Sequence, residues 1–265
     1  MRRADYEDIA YGKNKNQKMD IYFPSKPDTG IRDKIPVILL IHGGGFYCCD
    51  KRDFHIRPAE VFLDRGFSVV AINYRMAPDF SFPFPGRDIA RAIRWIQRNG
   101  VFYGLDCEKL FLYGTSAGGC LAAINGLQAE RENVIRGIGL CCPVIRLDTW
   151  KEELLQTPYV PEEHISEVDK ILFQYLPHGK NREANADYYI DFQKEYKIPV
   201  FLQHGDRDRL VSVRQSECFY EKLKKAGWKD VELEIISGAD HAGVGEEFFK
   251  RSVIEHTVRF FEKYL

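Results

Sequence analysis

No surplus of charge marks this chain: 38 Lys and Arg stand against 39 Asp and Glu, a net charge of −1. That balance argues against a nucleic-acid or anionic-membrane partner, since either usually wants a basic excess. No Cys-x-x-Cys occurs among the seven cysteines, an odd count containing two vicinal pairs, Cys48–Cys49 and Cys141–Cys142. Neither a disulfide framework nor a zinc site is suggested, and reduced thiols in the cytoplasm fit better. Behind the charged opening Met1-Arg2-Arg3-Ala4-Asp5 there is no apolar stretch, so no signal peptide is expected. The longest aliphatic run, 37–41, is far too short to span a bilayer. Low-complexity sequence is absent too. With 18 Phe and 14 Tyr in 265 residues, the chain is rich enough in aromatics to exclude disorder.

What is present reads as strands alternating with helices. The stretch 19–23 alternates in period two and stops at Pro24, as a half-buried strand would. The runs 35–41, 67–74, 109–113, 135–142, 199–203 and 231–236 are apolar with little alternation, as in strands covered on both faces. Helical patterns fall at 58–65, 86–98, 116–128, 212–226 and 246–265. This order predicts an α/β fold, a mostly parallel sheet flanked by helices, in a single domain over 1–265. One stretch breaks the rhythm. Residues 146–197 are acidic and rich in Tyr, and they predict a small helical cap inserted between two strands.

Four loops carry chemistry. Gly114-Thr115-Ser116-Ala117-Gly118 is a G-x-S-x-G pentapeptide between a strand and a helix. A nucleophilic hydroxyl needs such a sharp turn, with small neighbours so that strand and helix can approach. Alone, the same pentapeptide also describes a glycine-rich turn. His42-Gly43-Gly44-Gly45 follows a buried strand, and its unobstructed amides can converge on one oxygen. A flexible loop or a phosphate cradle is the plainer alternative, although neither a P-loop nor a dinucleotide fingerprint is present. His42 is expected to hold the loop through a ring hydrogen bond.

Gly205-Asp206-Arg207-Asp208 ends another buried strand, where a carboxylate can fix a histidine tautomer. His241 lies between the last strand and the last helix. All four loops fall at the ends of predicted parallel strands, where open α/β sheets bind ligands.

The chain order Ser116, Asp208, His241 resembles that of the α/β-hydrolase superfamily. More narrowly, the sequence is similar to the esterases with an HGGG oxyanion loop, the hormone-sensitive-lipase-like family and the bacterial feruloyl/acetyl-xylan esterase-like group. Asn73-Tyr74-Arg75-Met76-Ala77-Pro78 and Phe84-Pro85 add to the likeness, which covers nearly the whole chain. It implies Ser116 as nucleophile, His241 as base and Asp208 as orienting acid. It also implies an oxyanion hole from the amides of Gly44, Gly45 and Ala117, with no metal and no cofactor. Thr115 stands where the lipase-like family has Asp, which favours the carbohydrate-esterase-like group.

The implied activity is hydrolysis of short-chain carboxylic esters, on acetylated or feruloylated carbohydrates, through an acyl-enzyme. Phe46, the 79–85 loop and the 146–197 insertion are expected to shape the pocket. A peptidase of prolyl-oligopeptidase type shares fold and triad but usually carries a large propeller domain. A non-catalytic receptor would be expected to lack a triad member. Of the two aspartates, Asp206 is expected to bond its own loop's amides, leaving Asp208 for His241.

Overall fold

Three consecutive apolar strands build the centre of the molecule. The structure is a computed structural model and describes residues 2–25, 34–128, 135–157, 159–192 and 196–265. Strand β3 (Ile35–Ile41) pairs in parallel with β4 (Ser68–Ile72) on one side and β5 (Leu105–Thr115) on the other. Residues 37–41 and 68–72 are buried throughout, which explains why these runs show no alternation. Strands β6 (Ile135–Cys141), β7 (Val200–Gly205) and β8 (Val231–Ile236) continue the parallel pairing outward. On the far side β2 (Lys18–Tyr22) joins β4 antiparallel and β1 (Tyr6–Ala10) joins β2, giving eight strands in the order β1-β2-β4-β3-β5-β6-β7-β8.

The outermost strand, β1 (Tyr6–Ala10), escaped the sequence reading. It pairs antiparallel with β2, and none of its five residues is fully buried. An exposed edge strand carrying Glu7 and Asp8 has no apolar face to betray it. Its register shifts between Tyr6 and Ile9, and Asp8 there has φ 53°. Strand β5 is also longer than the apolar run 109–113 suggests, because its first residues include the polar Asp106 and Glu108.

Helices cover both faces. On one face α2 (Phe84–Asn99), α3 (Ala117–Leu127) and α6 (Arg214–Lys225) pack onto the sheet; on the other lie α1 (Ala59–Asp64) and α7 (Arg251–Glu262). Between β6 and β7, the insertion contributes α4 (Trp150–Leu155) and α5 (Glu162–Tyr175), followed by two 3-10 turns, Arg182–Ala184 and Ala186–Phe192. Its residues 158 and 193–195 lie outside the described set. Among the described residues no helix is long and apolar enough to cross a membrane.

A buried carboxylate ties α2 to the loop after β4. Asp88, fully buried, accepts from Arg75 Nη2 at 2.6 Å, from Arg75 Nε at 2.8 Å and from Gln17 Nε2 at 2.6 Å. Removing one partner of such a pair strands the other, at a cost near the lower end of the usual range because Arg75 keeps some exposure. Asp88→Ala is therefore expected to lower the unfolding free energy by about 3 kcal/mol. A urea titration showing less than half that loss would mean that the pair is not a structural tie.

Candidate functional site

The end of β5 leads into α3 through a single residue. Ser116 has φ 55° and ψ −119°, a conformation that ordinary side chains avoid and that nucleophile elbows use. The turn closes this tightly because its neighbours lack side chains. A Cβ on Gly114 would lie 2.2 Å from the Gly118 carbonyl oxygen, and one on Gly118 would lie 2.2 Å from that of Ile41. The Ser116 amide donates to the Cys141 carbonyl at 2.9 Å, so the turn is also fastened to the neighbouring strand.

His241, in the loop after β8, brings Nε2 to 2.9 Å from Ser116 Oγ. Its Nδ1 lies 2.7 Å from Asp208 Oδ2, in the loop after β7. The structure thus unites three residues drawn from separate motifs. Asp208 is almost completely buried, and its Oδ1 accepts from the amides of Leu210 and Val211, both at 2.8 Å. Burial favours the neutral acid, but His241 and His204 outweigh it and hold this carboxyl well below the usual carboxylate range. For His241, burial opposes an imidazolium, while the Asp208 charge more than compensates and raises the ring's proton affinity. Asp208 Oδ2 also lies 3.3 Å from His204 Nε2.

The two aspartates of this turn divide differently from expectation. It is Asp208 that binds its own loop's amides, with one oxygen, while the other faces His241. Asp206 instead accepts from the Gly238 amide at 2.7 Å, reaching across to the loop after β8. The expected partner of Asp206, its own loop's amides, is thus replaced by an amide of the neighbouring loop, because adjacency of strands is invisible in a single turn.

The glycine loop after β3 stands beside Ser116. Gly44 and Gly45 have φ 91° and 56°, and a Cβ on Gly44 would strike the Cys48 carbonyl oxygen at 2.2 Å. Among the described residues the amides of Gly44, Gly45 and Ala117 have no intramolecular acceptor and are free to bind an oxygen. His42 behaves as a structural residue. Its Nδ1 donates to the Gly43 carbonyl at 2.8 Å, its ring stacks on Tyr74, and burial lowers its pKa to about 4.

Gly44, Gly45, Ser116 and His241 open onto a cavity of about 220 Å³. Its apolar walls come from Trp150 and Ile171 of the insertion and from Leu210, Val211 and Val244 of the two loops. Phe46 does not shape it, contrary to expectation: the ring is wholly buried and stacked on Tyr175 at 3.9 Å. The 79–85 loop does not reach the cavity either.

Three contributors were missed by the sequence reading. Arg209 binds Asp240 through Nε at 2.6 Å and through its amide at 3.0 Å, locking the Asp208 loop to the His241 loop. His204 hydrogen-bonds the Val211 carbonyl through Nε2 at 2.9 Å and brings that same atom to 3.3 Å from Asp208 Oδ2. Cys142 places Sγ within 4.8 Å of the site atoms of Asp208 and His241, and burial keeps its thiol pKa well up. Arg209 and Asp240 do adjoin the two motifs, but charged residues in turns carry no pairing signal of their own.

With this geometry in view, the comparisons with known proteins are informative. The BD-FAE family matches residues 19–223, well over half of the chain and including Ser116 and Asp208. The chain belongs to the BD-FAE family. Carboxylesterase 20 of Arabidopsis thaliana is 33% identical over 242 residues, covering 88% of this chain and 68% of its own. Esterase LipQ of Mycobacterium tuberculosis is 26% identical over 90% of this chain, which spans only 57% of that protein. For LipM of the same organism, a probable carboxylic ester hydrolase, the span is 55%. Among solved structures, a truncated carbohydrate esterase from gut microbiota superposes with a TM-score of 0.78 at 18% identity, covering 98% of this chain and 95% of its own. Carboxyl esterase 2 of the fungus Tuber melanosporum gives 0.78 at 20% identity, over 93% and 82%. These superpositions show that this BD-FAE member has the α/β-hydrolase fold.

The carboxylate beside His241 makes a prediction about its titration. If Asp208 is what raises the ring's proton affinity, Asp208→Asn should move the His241 pKa downward, whereas Asp206→Asn should leave it nearly in place. NMR titration of the imidazole in both variants reads this directly, and an equal shift in the two would sink the assignment.

Proposed function

We propose that the protein is a serine carboxylesterase. The observation that carries this reading is the unbroken Ser116–His241–Asp208 chain beside three unpaired amides. In this scheme His241 Nε2 takes the Ser116 proton as Oγ attacks the ester carbonyl carbon. The amides of Gly44, Gly45 and Ala117 receive the oxyanion, and preorganised donors there are worth several kcal/mol in the transition state, about 3 to 4 for one donor in a measured precedent. The leaving alkoxide takes the proton back from Nε2 as the C–O bond breaks, leaving an acyl-serine. Water then repeats the sequence with its proton passing to His241, and carboxylic acid departs. Asp208, already ionised and fixed by two amides, keeps Nδ1 protonated so that Nε2 is the free base.

The cavity supports a short acyl group. A Cβ on Gly45 would lie 2.9 Å from Ile171 Cδ1, so the insertion closes directly over the glycine loop. We read residues 146–197 as a small cap on this ground. The carbohydrate-esterase neighbour supports an acylated sugar as substrate, acetylated or feruloylated. The free thiols of all seven cysteines fit a reducing compartment such as the cytoplasm.

Ser116→Ala should lower kcat on p-nitrophenyl acetate by roughly 10⁴–10⁶-fold with the fold intact, and a fluorophosphonate should label Ser116 alone. Asp208→Asn should cost about 10⁴-fold if the serine-protease precedent transfers. Near-normal turnover by folded Ser116→Ala would remove the mechanism. The cap reading is tested separately by Ile171→Ala. Its ratio of kcat/KM for hexanoate over acetate should rise about tenfold, the worth of a small volume change in an apolar pocket. Because a ratio is insensitive to the folded fraction, an unchanged value would mean that Ile171 does not bound the acyl site.

A further inference from the structure

Beneath the glycine loop lies a group of side chains that the hydrolysis scheme does not use. Ligand atoms of Cys49, Asp53 and His55 lie within 4.8 Å of one another. Cys48 adds a second sulfur 3.9 Å from that of Cys49 and stands on the cavity wall, exposed. The group is already polar and preformed. His55 is buried, with Nδ1 2.9 Å from Asp53 Oδ1, and Asp53 is fixed in turn by the amides of Asp50 at 3.0 Å and His55 at 2.9 Å.

Two thiols, an imidazole and a carboxylate make a donor set that borderline-soft divalent cations prefer over magnesium or calcium. The spacing agrees. With Zn–S bonds of about 2.3 Å, tetrahedral geometry puts two sulfurs about 3.8 Å apart, close to the separation found. We propose that Cys48, Cys49, Asp53 and His55 bind a divalent cation of the zinc class, and that its occupancy slows turnover. The sequence reading missed this because it looked for paired Cys-x-x-Cys spacing, whereas these donors are mixed and crowded into eight residues.

Binding exchanges protons for metal. Two S–H bonds break, two metal–thiolate bonds form, and two protons pass to solvent; His55 and Asp53 bind in their neutral and ionised forms, so no electron is transferred. The exchange acts on the loop above. Cys48 donates both its amide, at 3.0 Å, and its thiol, at 3.3 Å, to the Gly44 carbonyl. A metal-bound thiolate has no proton to give, so one of the two donors is lost. The loop also has no slack: a Cβ on Gly44 would lie 2.8 Å from Cys49 Sγ, and one on Gly43 would lie 2.6 Å from His55 Nε2. Any shift of these ligands toward an ion therefore moves the peptide units whose amides face Ser116. The inhibitory effect rests on the esterase reading; the binding does not.

The test uses the full chain, kept reduced and titrated with Co²⁺ as a spectroscopic probe and then with Zn²⁺ in competition. One ion per chain is expected, with a thiolate-to-cobalt absorption band. Hydrolysis of p-nitrophenyl acetate should be lost with the same midpoint and restored by a chelator. Cys49→Ser should weaken binding at least about tenfold, since losing even an outer partner of a ligand costs that much. Cys48→Ser, at an exposed side chain, carries the same test should Cys49→Ser fail to fold. Cys218→Ser, on α6 and remote from the group, should leave the midpoint unchanged. Absence of the band in the unmodified protein, or a binding midpoint unchanged in both Cys48→Ser and Cys49→Ser, overturns the site. Binding without loss of turnover overturns its coupling to the loop. A protein that shows the band but never hydrolyses esters upholds the site and counts against the esterase reading instead.

Discussion

The absence of side chains at Gly114 and Gly118 is the constraint on which the site's architecture rests. At these two positions backbone meets backbone, with the Gly118 oxygen where a Gly114 Cβ would be and the Ile41 oxygen where a Gly118 Cβ would be. The first contact folds α3 sharply back from β5 and leaves Ser116 with φ 55° at the turn. The second presses the start of α3 against the end of β3, which is where the glycine loop begins. The Ser116 turn and the glycine loop are therefore one packed unit rather than two loops that happen to meet. The cost of the strained Ser116 backbone, of order 1–3 kcal/mol, is offset by the burial of nearly all of α3 against the sheet.

The other half of the site is assembled by strand adjacency. Strands β7 and β8 are neighbours in parallel register, Gly205 beside Ile236, so their C-terminal loops emerge side by side. Hydrogen bonds then join them: Asp206 accepts from the Gly238 amide, the Arg207 amide donates to the Ala239 carbonyl at 3.0 Å, and Arg209 binds Asp240. Arg209 is partly exposed, so its pairing with Asp240 contributes only modestly to stability by itself. Its value is geometric, because a hydrogen bond between Asp208 and His241 needs both loops held to within a few tenths of an ångström.

How much of this was legible follows from what each feature writes into sequence. The central strands are apolar on both faces, so their runs stand out, and the four chemical loops are marked because each ends such a run. The nucleophile turn is legible for a steric reason, since only small residues survive the contacts at Gly114 and Gly118. Strand β1 leaves no trace because an edge strand paired on one side and exposed on both faces has no pattern to show. The partner of Asp206 was misread for a related reason: Gly238 is distant in sequence and offers only a backbone amide, which every residue possesses. His204 was hidden inside an apolar strand, where its Nδ1 contacts Ser216 Oγ at 2.7 Å and its Nε2 the Val211 carbonyl at 2.9 Å.

The insertion links the two sides of the cavity. It grips the glycine loop rather than the acid and histidine loops alone: Tyr175 stacks on Phe46, Tyr47 donates to Glu167, and Ile171 abuts Gly45. Trp150 adds a contact to the other side, donating from Nε1 to the Leu210 carbonyl at 2.7 Å. The segment therefore spans the cavity from the glycine loop to the Asp208 loop. On α5, Ile171 both lines the cavity and abuts the peptide units of the glycine loop. Ile171 thus stands at the junction of cavity and glycine loop, whereas Val244 lines the cavity from the His241 loop. Selectivity altered from that side should thus come with less loss of turnover than the same volume gained beneath α5.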